Sequence, residues 1–236
     1  PNVIAVSNYC WNAELNYLTL RHAKKVLEGV ICVAGGPEFH DVDEDCLEML
    51  EAHREIDFFA FGEGEIAFVE LVKKIADGAE ADTIRKEPQI GLMSIHPKTG
   101  ALVAGERPLC DKDMDFIPSP YLEGLMDHFF DGEHAPMVQL ARGCPYSCTF
   151  CNAAQSWYNR VAAFSHDRVV AELNYIAAKT KDHPGLPLAI TDSNFGMFKR
   201  DVEIAHQIRH LQDQYGWPVA FDFTSGKAHH ERILKV

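Results

Sequence analysis

Short apolar runs alternate with helical stretches along the first 80 residues, and this alternation constrains the fold more than any other feature of the sequence. Three runs are typical of buried strands that end in turns: VIAVSNY (3–9), VICVAGG (30–36) and IDFFAFGEGE (56–65). The stretches after them have apolar residues near helical spacing: 13–29, 43–55 and 66–78. Strands that alternate with helices predict parallel pairing in an open α/β sheet.

The pattern changes after residue 80. IGLMSIHPKTGALVAGE (90–106) predicts two short strands around the turn PKTG, and the Pro- and Asp-rich segment after it is typical of an interdomain connection. Alternation then resumes, with strand-like runs at 136–143, 186–191 and 217–226. Ser165 is placed as the N-cap of the first helix between them. Three such βα units begin either an open sheet or a barrel, because three strands alone cannot close a barrel.

Composition and charge exclude several classes of protein. The chain has 236 residues, 47% of them hydrophobic, which is enough for one large core or two smaller ones. Its formal net charge is −13 with scattered Lys and Arg, whereas binding of nucleic-acid phosphates requires clustered cations. No apolar run approaches the roughly 20 residues of a membrane-spanning helix, and the N-terminus lacks the pattern of a signal peptide. We therefore expect no nucleic-acid partner and no membrane span, and without an initial Met we expect a fragment.

The cysteines are unevenly distributed. There are seven, and three of them lie within the eight residues of CPYSCTFC (144–151), in the spacing C-x3-C-x2-C. The odd total and the isolation of the other four are not typical of a secreted disulfide framework. A disulfide within the motif would leave one thiol unused, and a structural zinc site normally has four protein ligands.

Counting ligands favours an iron–sulfur cluster and leaves zinc and inert thiols open. No fourth cysteine stands at a ferredoxin-type spacing from CPYSCTFC, and no paired Cys or His ligands accompany it in the sequence. A four-iron cluster held by three thiolates has one iron without a protein ligand. That iron can bind a small molecule, as the open position of a catalytic metal site does.

The residues around these cysteines carry a resemblance to a known family. An Arg-Gly pair begins at Arg142, Phe150 stands directly before the last cysteine, and the strand-like MVQLARG leads into the loop. In these features the chain resembles the radical S-adenosylmethionine superfamily. The resemblance implies that Cys144, Cys148 and Cys151 bind a [4Fe-4S] cluster in the loop after the first strand of a (β/α)6 barrel. It also implies that the open iron binds S-adenosylmethionine and that an electron from the cluster cleaves it to a 5′-deoxyadenosyl radical.

The N-terminal half resembles the cobalamin-binding domain that precedes the barrel in the cobalamin-dependent members of this superfamily. The segments that carry the resemblance are SNYCWN (7–12), VAGGPEF (33–39), DFFAFGEGEIAFVEL (57–71) and IPSPYLEGLMD (117–127). Glycine turns after parallel strands lie at the edge where open α/β sheets bind ligands, and they let a cofactor approach the backbone. The resemblance implies cobalamin contacts from eight residues: Trp11, Asn12, Gly35, Gly36, Pro37, Gly62, Glu63 and Gly64.

Simpler roles stay open for these residues. The glycines are also typical of tight turns without a ligand, Trp11 of burial in the core, and Glu63 of a helix cap. For S-adenosylmethionine the resemblance implies contacts from six residues: Phe150, Asp192, Ser193, Asn194, Ser225 and Lys227. Asp192, Ser193 and Asn194, expected directly after a strand, offer acceptors for an amino group, although the same residue types are common helix N-caps.

We therefore predict an α/β protein with a truncated Rossmann-like cobalamin-binding domain at 1–80, a hairpin and linker at 81–133, and the N-terminal half of a radical S-adenosylmethionine barrel at 134–236. The implied activity is methyl transfer to an unactivated carbon of a small-molecule substrate. The alternatives are a radical cyclisation or rearrangement without methyl transfer, and a metal-binding module without turnover. An electron donor such as flavodoxin or ferredoxin is implied, and the strongly reducing cofactors imply the cytoplasm. A half barrel exposes a strand edge, so we expect poor solubility.

Overall fold

The computed structural model describes residues 1–38, 42–108, 113–151 and 159–236. They form two compact units, Pro1–Leu109 and Cys110–Val236. Within the described ranges no helix is both long enough and apolar enough to cross a membrane. Phe39, the last residue of the segment VAGGPEF, lies outside these ranges.

The first unit is built on a five-stranded sheet whose strands lie side by side in chain order. Its strands are β1 (Val3–Ser7), β2 (Ile31–Gly35), β3 (Phe58–Ala60), β4 (Leu92–Ile95) and β5 (Leu102–Ala104). β1, β2 and β3 run parallel, and β4 and β5 add an antiparallel hairpin beside β3. The predicted parallel α/β sheet is therefore confirmed.

Helices pack against this sheet through two separate cores. They are α1 (Ala13–Val26), α2 (Asp43–Ala52), α3 (Gly64–Ala76) and the single turn α4 (Ala81–Ile84). Because side chains alternate along a strand, neighbouring residues of β3 enter different cores. Phe59 shares one core with Leu20 and Leu50, and Phe58 shares the other with Leu71. Both phenylalanines are fully buried, which contributes about 2–3 kcal/mol each to folding.

The hairpin of β4 and β5 belongs to the first unit and not to a separate segment that begins at residue 81. Met93 pairs with Phe59 and Leu92 with Ala60, and the buried Met93 and Ile95 extend one of the two cores. An unpaired β3 would expose backbone hydrogen-bonding groups, and the hairpin covers that edge. The structure divides the chain once, between residues 109 and 110, where the sequence predicted boundaries after 80 and 133.

The second unit contains a three-stranded parallel sheet in the order β10, β9, β6, and a separate antiparallel ladder of β7 and β8. Its strands are β6 (Met137–Val138), β7 (Ala141–Arg142), β8 (Ala162–Ala163), β9 (Leu188–Phe195) and β10 (Phe221–Ser225). Its helices are α5 (His166–Thr180), α6 (Lys199–Tyr215) and the short α7 (His230–Ile233), with a 3-10 turn at Asp127–Phe129. The predicted alternation of strands and helices is confirmed here as well.

The core of the second unit lies between its sheet and the helices α5 and α6. Leu173 of α5, Ile208 of α6 and Trp217 before β10 are buried in one cluster with residues of the strands. Ser165 caps α5 as predicted, because its Oγ accepts a hydrogen bond from the N–H of Arg168 at 3.1 Å. This cap fixes the point where the chain leaves the cysteine loop and becomes helical.

β9 is longer than the predicted strand 186–191. It continues through Asp192, Ser193 and Asn194, so these residues lie in the carboxyl-terminal part of the strand and not after it. α6 begins only at Lys199, so the alternative that the three residues cap this helix is wrong. Polar residues can extend a buried strand when their side chains find hydrogen-bond partners, and those of Asp192 and Asn194 do.

Part of the predicted linker packs onto the second unit. Met114 is fully buried in its core. The hydroxyl of Tyr121 donates to the carbonyl of Met137 at 2.8 Å and accepts from the N–H of the same residue at 3.1 Å. Met137 belongs to β6, which pairs with β9 on its other side. Tyr121 thus satisfies backbone groups that an edge strand would otherwise leave open.

Candidate cofactor sites

A small ladder closes the base of the cysteine loop. β7 and β8 pair antiparallel, so the loop that carries the three cysteines starts from a hydrogen-bonded ladder. Just outside the ladder, the N–H of Phe164 donates to the carbonyl of Leu140 at 3.1 Å. The loop begins with Gly143, whose φ of 89° is one that residues with a Cβ rarely adopt. This glycine sets the direction in which the chain enters the motif.

Asp192 anchors the strand that leads into the loop. Its buried carboxylate accepts hydrogen bonds at Oδ1 from the N–H of Leu140, at 2.7 Å, and from that of Ala141, at 3.1 Å. Burial raises the pKa of Asp192 to about 6, while the two backbone donors and the nearby Arg200 act in the opposite direction. Asp192 therefore joins β9 to the base of the loop.

Arg200, in the first turn of α6, ties both ends of the loop together. Its guanidinium donates to the carbonyl of Phe164 and to that of Leu140, at 2.7 Å in each case. The adjacent Asp201 is buried and accepts from two N–H groups just before the helix, at 3.0 and 2.8 Å. Sequence reasoning missed Arg200. Its signal is a cation in the first turn of a helix, where the helix dipole disfavours positive charge.

The three cysteines of the loop differ in exposure. Cys144 is buried, with 8% of its surface exposed, and Cys148 and Cys151 are half-buried. The N–H of Cys151 donates to the carbonyl of Cys148 at 3.1 Å, so this part of the motif forms a turn. All three are free thiols in the described chain. Phe150 lies on the surface, 85% exposed.

Among the described residues, no three or more His, Cys, Asp or Glu side chains converge as a metal site, and this holds for the three cysteines too. Residues 152–158 lie outside the described ranges. The donor set nevertheless matches the predicted cluster in its chemistry: three free thiols on one anchored loop. It is one ligand short of a structural zinc site, and the described chain gathers no protein group that would complete one.

Asn194 links the cysteine loop to the strand β10. It is 5% exposed, its Nδ2 donates to Cys144 Sγ at 3.1 Å, and its Oδ1 accepts from Lys227 Nζ at 3.1 Å. Ser225, the last residue of β10, is in register with Phe195, which follows Asn194 in β9. At the carboxyl ends of two parallel strands, Asn194 thus links Cys144 to Lys227.

The other residues predicted for S-adenosylmethionine lie apart from this contact. Asp192 bonds to the base of the loop, and Ser193 is half-buried between Asp192 and Asn194 on β9. Phe150 is exposed on the loop. The assignment of these residues to S-adenosylmethionine stays a prediction.

Two glycines at the carboxyl end of the first sheet are required by the packing of the chain on itself. Gly36 has a φ of 101°, and a Cβ there would lie 2.4 Å from the carbonyl oxygen of Asn8. A Cβ on Gly35 would lie 3.2 Å from the carbonyl oxygen of Ala60 on the neighbouring strand. Close approach of β1, β2 and β3 therefore explains these two positions without a ligand.

The remaining residues predicted for cobalamin follow β2 and β3, and Gly64 among them is the first residue of α3. Gly62 has a φ of 72°, and a Cβ on Gly64 would meet no described atom within 4 Å. Glu63 occupies the N-cap position of α3, although its side chain makes no capping hydrogen bond within the described chain. Pro37 is exposed after β2. The backbone at Gly64 is therefore open to a bound molecule.

Trp11 lies on the surface after β1. It is 76% exposed and stacks on Tyr9, with ring centroids 4.7 Å apart and an interplanar angle of 13°. The alternative that Trp11 is a core residue is therefore wrong. Asn12 fixes this turn, because its Oδ1 accepts from the N–H of Tyr9 at 2.8 Å and its Nδ2 donates to the carbonyl of Ser7 at 3.1 Å. The turn presents a flat pair of rings at the edge of the sheet.

Asn8 is a buried polar residue at this edge that sequence reasoning missed. Its Oδ1 accepts from Asn16 at 2.8 Å, and its N–H donates to the carbonyl of Gly35 at 2.6 Å. Its Nδ2 lies beside the hydroxyl of Tyr17, whose pKa burial raises and this amide lowers in part, and makes no other hydrogen bond among the described residues. Because an amide nitrogen has two N–H groups and buried ones nearly always have partners, the second N–H is suited to a ligand. The signal was an Asn that directly follows a strand-like run, although β1 itself is only partly buried.

The chain has relatives among proteins of known class, although no family model matches it. It is 29% identical, over 248 aligned positions that cover all of it, to the cobalamin-dependent radical SAM methyltransferase TokK of Streptomyces tokunonensis. It is 29% identical over 243 positions, again covering all of it, to the 2-(S-pantetheinyl)-carbapenam-3-carboxylate methyltransferase of Streptantibioticus cattleyicolor. The chain spans 34% of the length of each of these proteins.

Solved structures share its fold. The cobalamin-dependent S-adenosylmethionine radical enzyme OxsB, with aqua-cobalamin and S-adenosylmethionine bound, matches 94% of this chain over 30% of its own, with a TM-score of 0.66 and 18% identity. The radical S-adenosylmethionine methyltransferase TsrM of Kitasatospora setae, with cobalamin and a [4Fe-4S] cluster bound, matches 91% over 41% of its own, with a TM-score of 0.62 and 17% identity.

These comparisons confirm the resemblance and the fold class that the sequence predicted. Of the two relatives named above, TokK is a cobalamin-dependent radical S-adenosylmethionine methyltransferase, and the other is also a methyltransferase. Its α/β architecture is the one that OxsB and TsrM share.

Proposed function

We propose that the protein is an enzyme that binds a [4Fe-4S] cluster, S-adenosylmethionine and cobalamin, and that it transfers a methyl group to an unactivated carbon of a small molecule. The observation that carries this proposal is the hydrogen bond from Asn194, itself bound by Lys227, to Cys144 on a loop that holds two further cysteines. The relatives are named as methyltransferases, which favours methyl transfer over cyclisation or rearrangement.

Cys144, Cys148 and Cys151 would hold the cluster. When bound, the cluster supplies the electron for reductive cleavage of S-adenosylmethionine. The chain contributes position: Asp192 and Arg200 hold the base of the loop through backbone groups on both sides of it. Ligands carried on a loop need such support, because small displacements weaken a metal site.

The polar residues of β9 and β10 would hold S-adenosylmethionine. Its amino group requires acceptors, which the carboxylate of Asp192 and the hydroxyl of Ser193 offer. Its carboxylate and ribose require donors, which Ser225 and Lys227 offer at the end of the neighbouring strand. Phe150 carries an exposed ring directly before Cys151, where it would cover the cluster.

The carboxyl end of the first sheet would hold cobalamin, which when bound acts as the carrier of the methyl group. Trp11 would lie against the flat corrin ring, since its own ring is exposed and held in a stack with Tyr9. The backbone at Gly64 is open, and the buried Nδ2 of Asn8 offers a donor. Gly35 and Gly36 would shape this edge of the sheet and not contact the cofactor, because each lies close against the backbone of a neighbouring segment.

A cluster of this kind needs a one-electron donor and protection from oxygen. A flavodoxin or ferredoxin would deliver the electron, and the reducing cytoplasm would keep the three cysteines as free thiols. The proposed substrate is a small molecule. The scattered basic residues and the net charge of −13 argue against a nucleic-acid substrate.

Cluster assembly tests the first part of this proposal. We expect anaerobic reconstitution of the full chain to yield stoichiometric iron and sulfide, and Cys148→Ala to lose most of both. Cys10→Ala is the matched control, since Cys10 is an exposed thiol of the first unit and is not part of the motif. Stoichiometric zinc without iron or sulfide would instead indicate a metal-binding module without turnover.

Product analysis tests the reaction. Methyl transfer predicts S-adenosylhomocysteine and a methylated product together with 5′-deoxyadenosine. A cyclisation or rearrangement predicts 5′-deoxyadenosine without S-adenosylhomocysteine, and that result would exclude the proposed methyl transfer.

A further inference from the structure

Asn194 touches one of the three proposed cluster ligands directly. We propose that Asn194 is a positioning residue whose hydrogen bond to the Cys144 thiolate raises the reduction potential of the cluster, and that Lys227 holds Asn194 in the orientation required. This inference rests on the proposed function, because it assumes that the motif carries a cluster. It assigns Asn194 and Lys227 a role toward the cluster in addition to the one predicted toward S-adenosylmethionine.

The orientation of the Asn194 side chain follows from the chemistry of its two partners. A Lys ammonium has only donors, so Lys227 must face the oxygen of the amide. The amide nitrogen then points the other way, toward Cys144 Sγ at 3.1 Å. With the amide turned over, two donors would face each other and the sulfur would face an oxygen, which the network disfavours. Lys227 thus selects the orientation that donates to sulfur.

Burial distinguishes Cys144 from the other two ligands. Asn194 and Cys144 are 5% and 8% exposed, whereas Cys148 and Cys151 are half-buried. A hydrogen bond from an amide to a charged sulfur is stronger where little water competes for either group. Of the three thiolates, Cys144 is therefore the one whose charge the protein is best placed to stabilise.

The direction of the effect follows from charge. One-electron reduction takes the cluster from the 2+ to the 1+ state, with the electron supplied by dithionite or a flavodoxin, and adds negative charge to its sulfur atoms. A donor N–H stabilises the more negative state, so it raises the reduction potential. The positive charge of Lys227, which donates to Asn194, also stabilises the reduced state and so raises the reduction potential. No proton is transferred in this step.

The test is a redox titration of the reconstituted full chain, followed by electron paramagnetic resonance of the reduced cluster. Asn194→Leu removes the donor, and Asn194→Asp replaces it with an acceptor of the same shape that still pairs with Lys227. At a fixed potential we expect the ratio of reduced to oxidised cluster to fall about tenfold in both variants. Lys227→Gln removes the positive charge and should lower the same ratio of reduced to oxidised cluster about threefold.

Two exposed residues of the same unit provide controls. Asn174→Leu, on the outer surface of α5, and Lys181→Gln, directly after that helix, should leave the potential unchanged. An unchanged potential in both Asn194 variants, with cluster content intact, would overturn the inference. Loss of the cluster from both variants with the fold retained would also overturn it, since Asn194 would then serve assembly and not the potential.

The proposed function fails in a different way. If the unmodified chain takes up no iron and sulfide, the cluster assignment itself is wrong. If it takes up a cluster whose potential is indifferent to Asn194, only the role of Asn194 is wrong.

Discussion

The carboxyl-terminal strand ends of the two units are constructed differently. In the first unit the backbone packs on itself: Gly36 lies against Asn8, and Gly35 against Ala60. In the second unit, hydrogen bonds made by buried polar side chains hold the strand ends in place. Asp192 accepts from the backbone of the cysteine loop, and Asn194 donates to a thiol. In both, the features lie at the end of parallel strands where α/β sheets bind ligands.

This difference determines how each edge can be damaged. An edge made by close backbone approach tolerates no added atoms, whereas an edge made by buried side chains tolerates no lost hydrogen bonds. The first unit should therefore be sensitive to small additions and the second to polar deletions. Four substitutions measure the contrast, from the largest expected effect to the smallest.

Gly36→Ala should have the largest effect, about 3–5 kcal/mol on the free energy of unfolding, because it combines backbone strain with overpacking. The added Cβ would lie 2.4 Å from the oxygen of Asn8 at a φ of 101°. Urea denaturation followed by circular dichroism measures it. Gly29→Ala is the matched control, with a φ of 70° and no described atom within 4 Å of its Cβ, and should cost about 1 kcal/mol. Equal losses at the two positions would show that strain alone matters and that the first edge is not tightly packed.

Arg200→Met should cost about 2–3 kcal/mol, since it removes two hydrogen bonds from a charged donor and leaves two carbonyls without their partner. Arg209→Met on the same helix is the control. Its ion pair with Asp213 is exposed, so its loss should cost about 0.5 kcal/mol or less. Denaturant unfolding gives both values, and reconstituted iron content should fall only in Arg200→Met. If Arg200→Met is as mild as the control, the loop base is not held by this side chain.

Asp192 should give the second unit a distinctive dependence on pH. Its pKa is raised by burial from 3.8 to about 6, so the folded chain holds its proton more tightly than the unfolded chain between these values. Stability from this group is therefore present below about pH 4 and is lost as pH rises through about 6. Of the charges that act on it, Arg200 opposes the shift and Asp201 adds to it.

The substitution Asp192→Asn isolates that effect, because Asn keeps the Oδ1 acceptor and does not titrate. From pH 4.5 to 6, the native chain should lose about 1–2 kcal/mol of unfolding free energy relative to the variant. Unfolding curves measured across this range make the comparison. Parallel pH profiles would mean that Asp192 titrates normally and is not the buried anchor described here.

Trp11→Ala should have the smallest effect on folding, within about 0.5 kcal/mol, because the ring is 76% exposed. It should nevertheless weaken the binding of hydroxocobalamin about threefold to tenfold, the contribution expected from aromatic contact. Absorbance titration measures the affinity. The exposed Phe116→Ala is a control that should alter neither quantity. Unchanged affinity in Trp11→Ala would remove this ring from the proposed cobalamin surface.

The regular features of the fold were predictable from the sequence because they have local causes. The alternation of apolar runs predicted the parallel strands, and Ser165 predicted the start of α5. Local sequence patterns did not predict the features that depend on tertiary contacts. β9 extends through Asp192 to Asn194 because partners far away in sequence satisfy these polar side chains.

The candidate sites were only partly predictable, because many of the contacts that form them depend on tertiary structure. Gly35 and Gly36 stand out in the sequence, but only the structure shows that their own chain requires them. Arg200 lies in no motif, and the segment SNYCWN does not single out Asn8, since the partners of both residues lie in other elements. The contact of Cys144 with Asn194 spans 50 residues, and nothing in the spacing of either residue indicates it.

The measurement that tests the central claim most directly is low-temperature electron paramagnetic resonance of the reduced, reconstituted full chain, with and without S-adenosylmethionine, beside Cys148→Ala. We predict a four-iron signal that changes when S-adenosylmethionine is added and that is absent from the variant. A chain without a cluster, or with a signal indifferent to S-adenosylmethionine, would contradict the proposed radical mechanism and leave the three cysteines as a structural metal site.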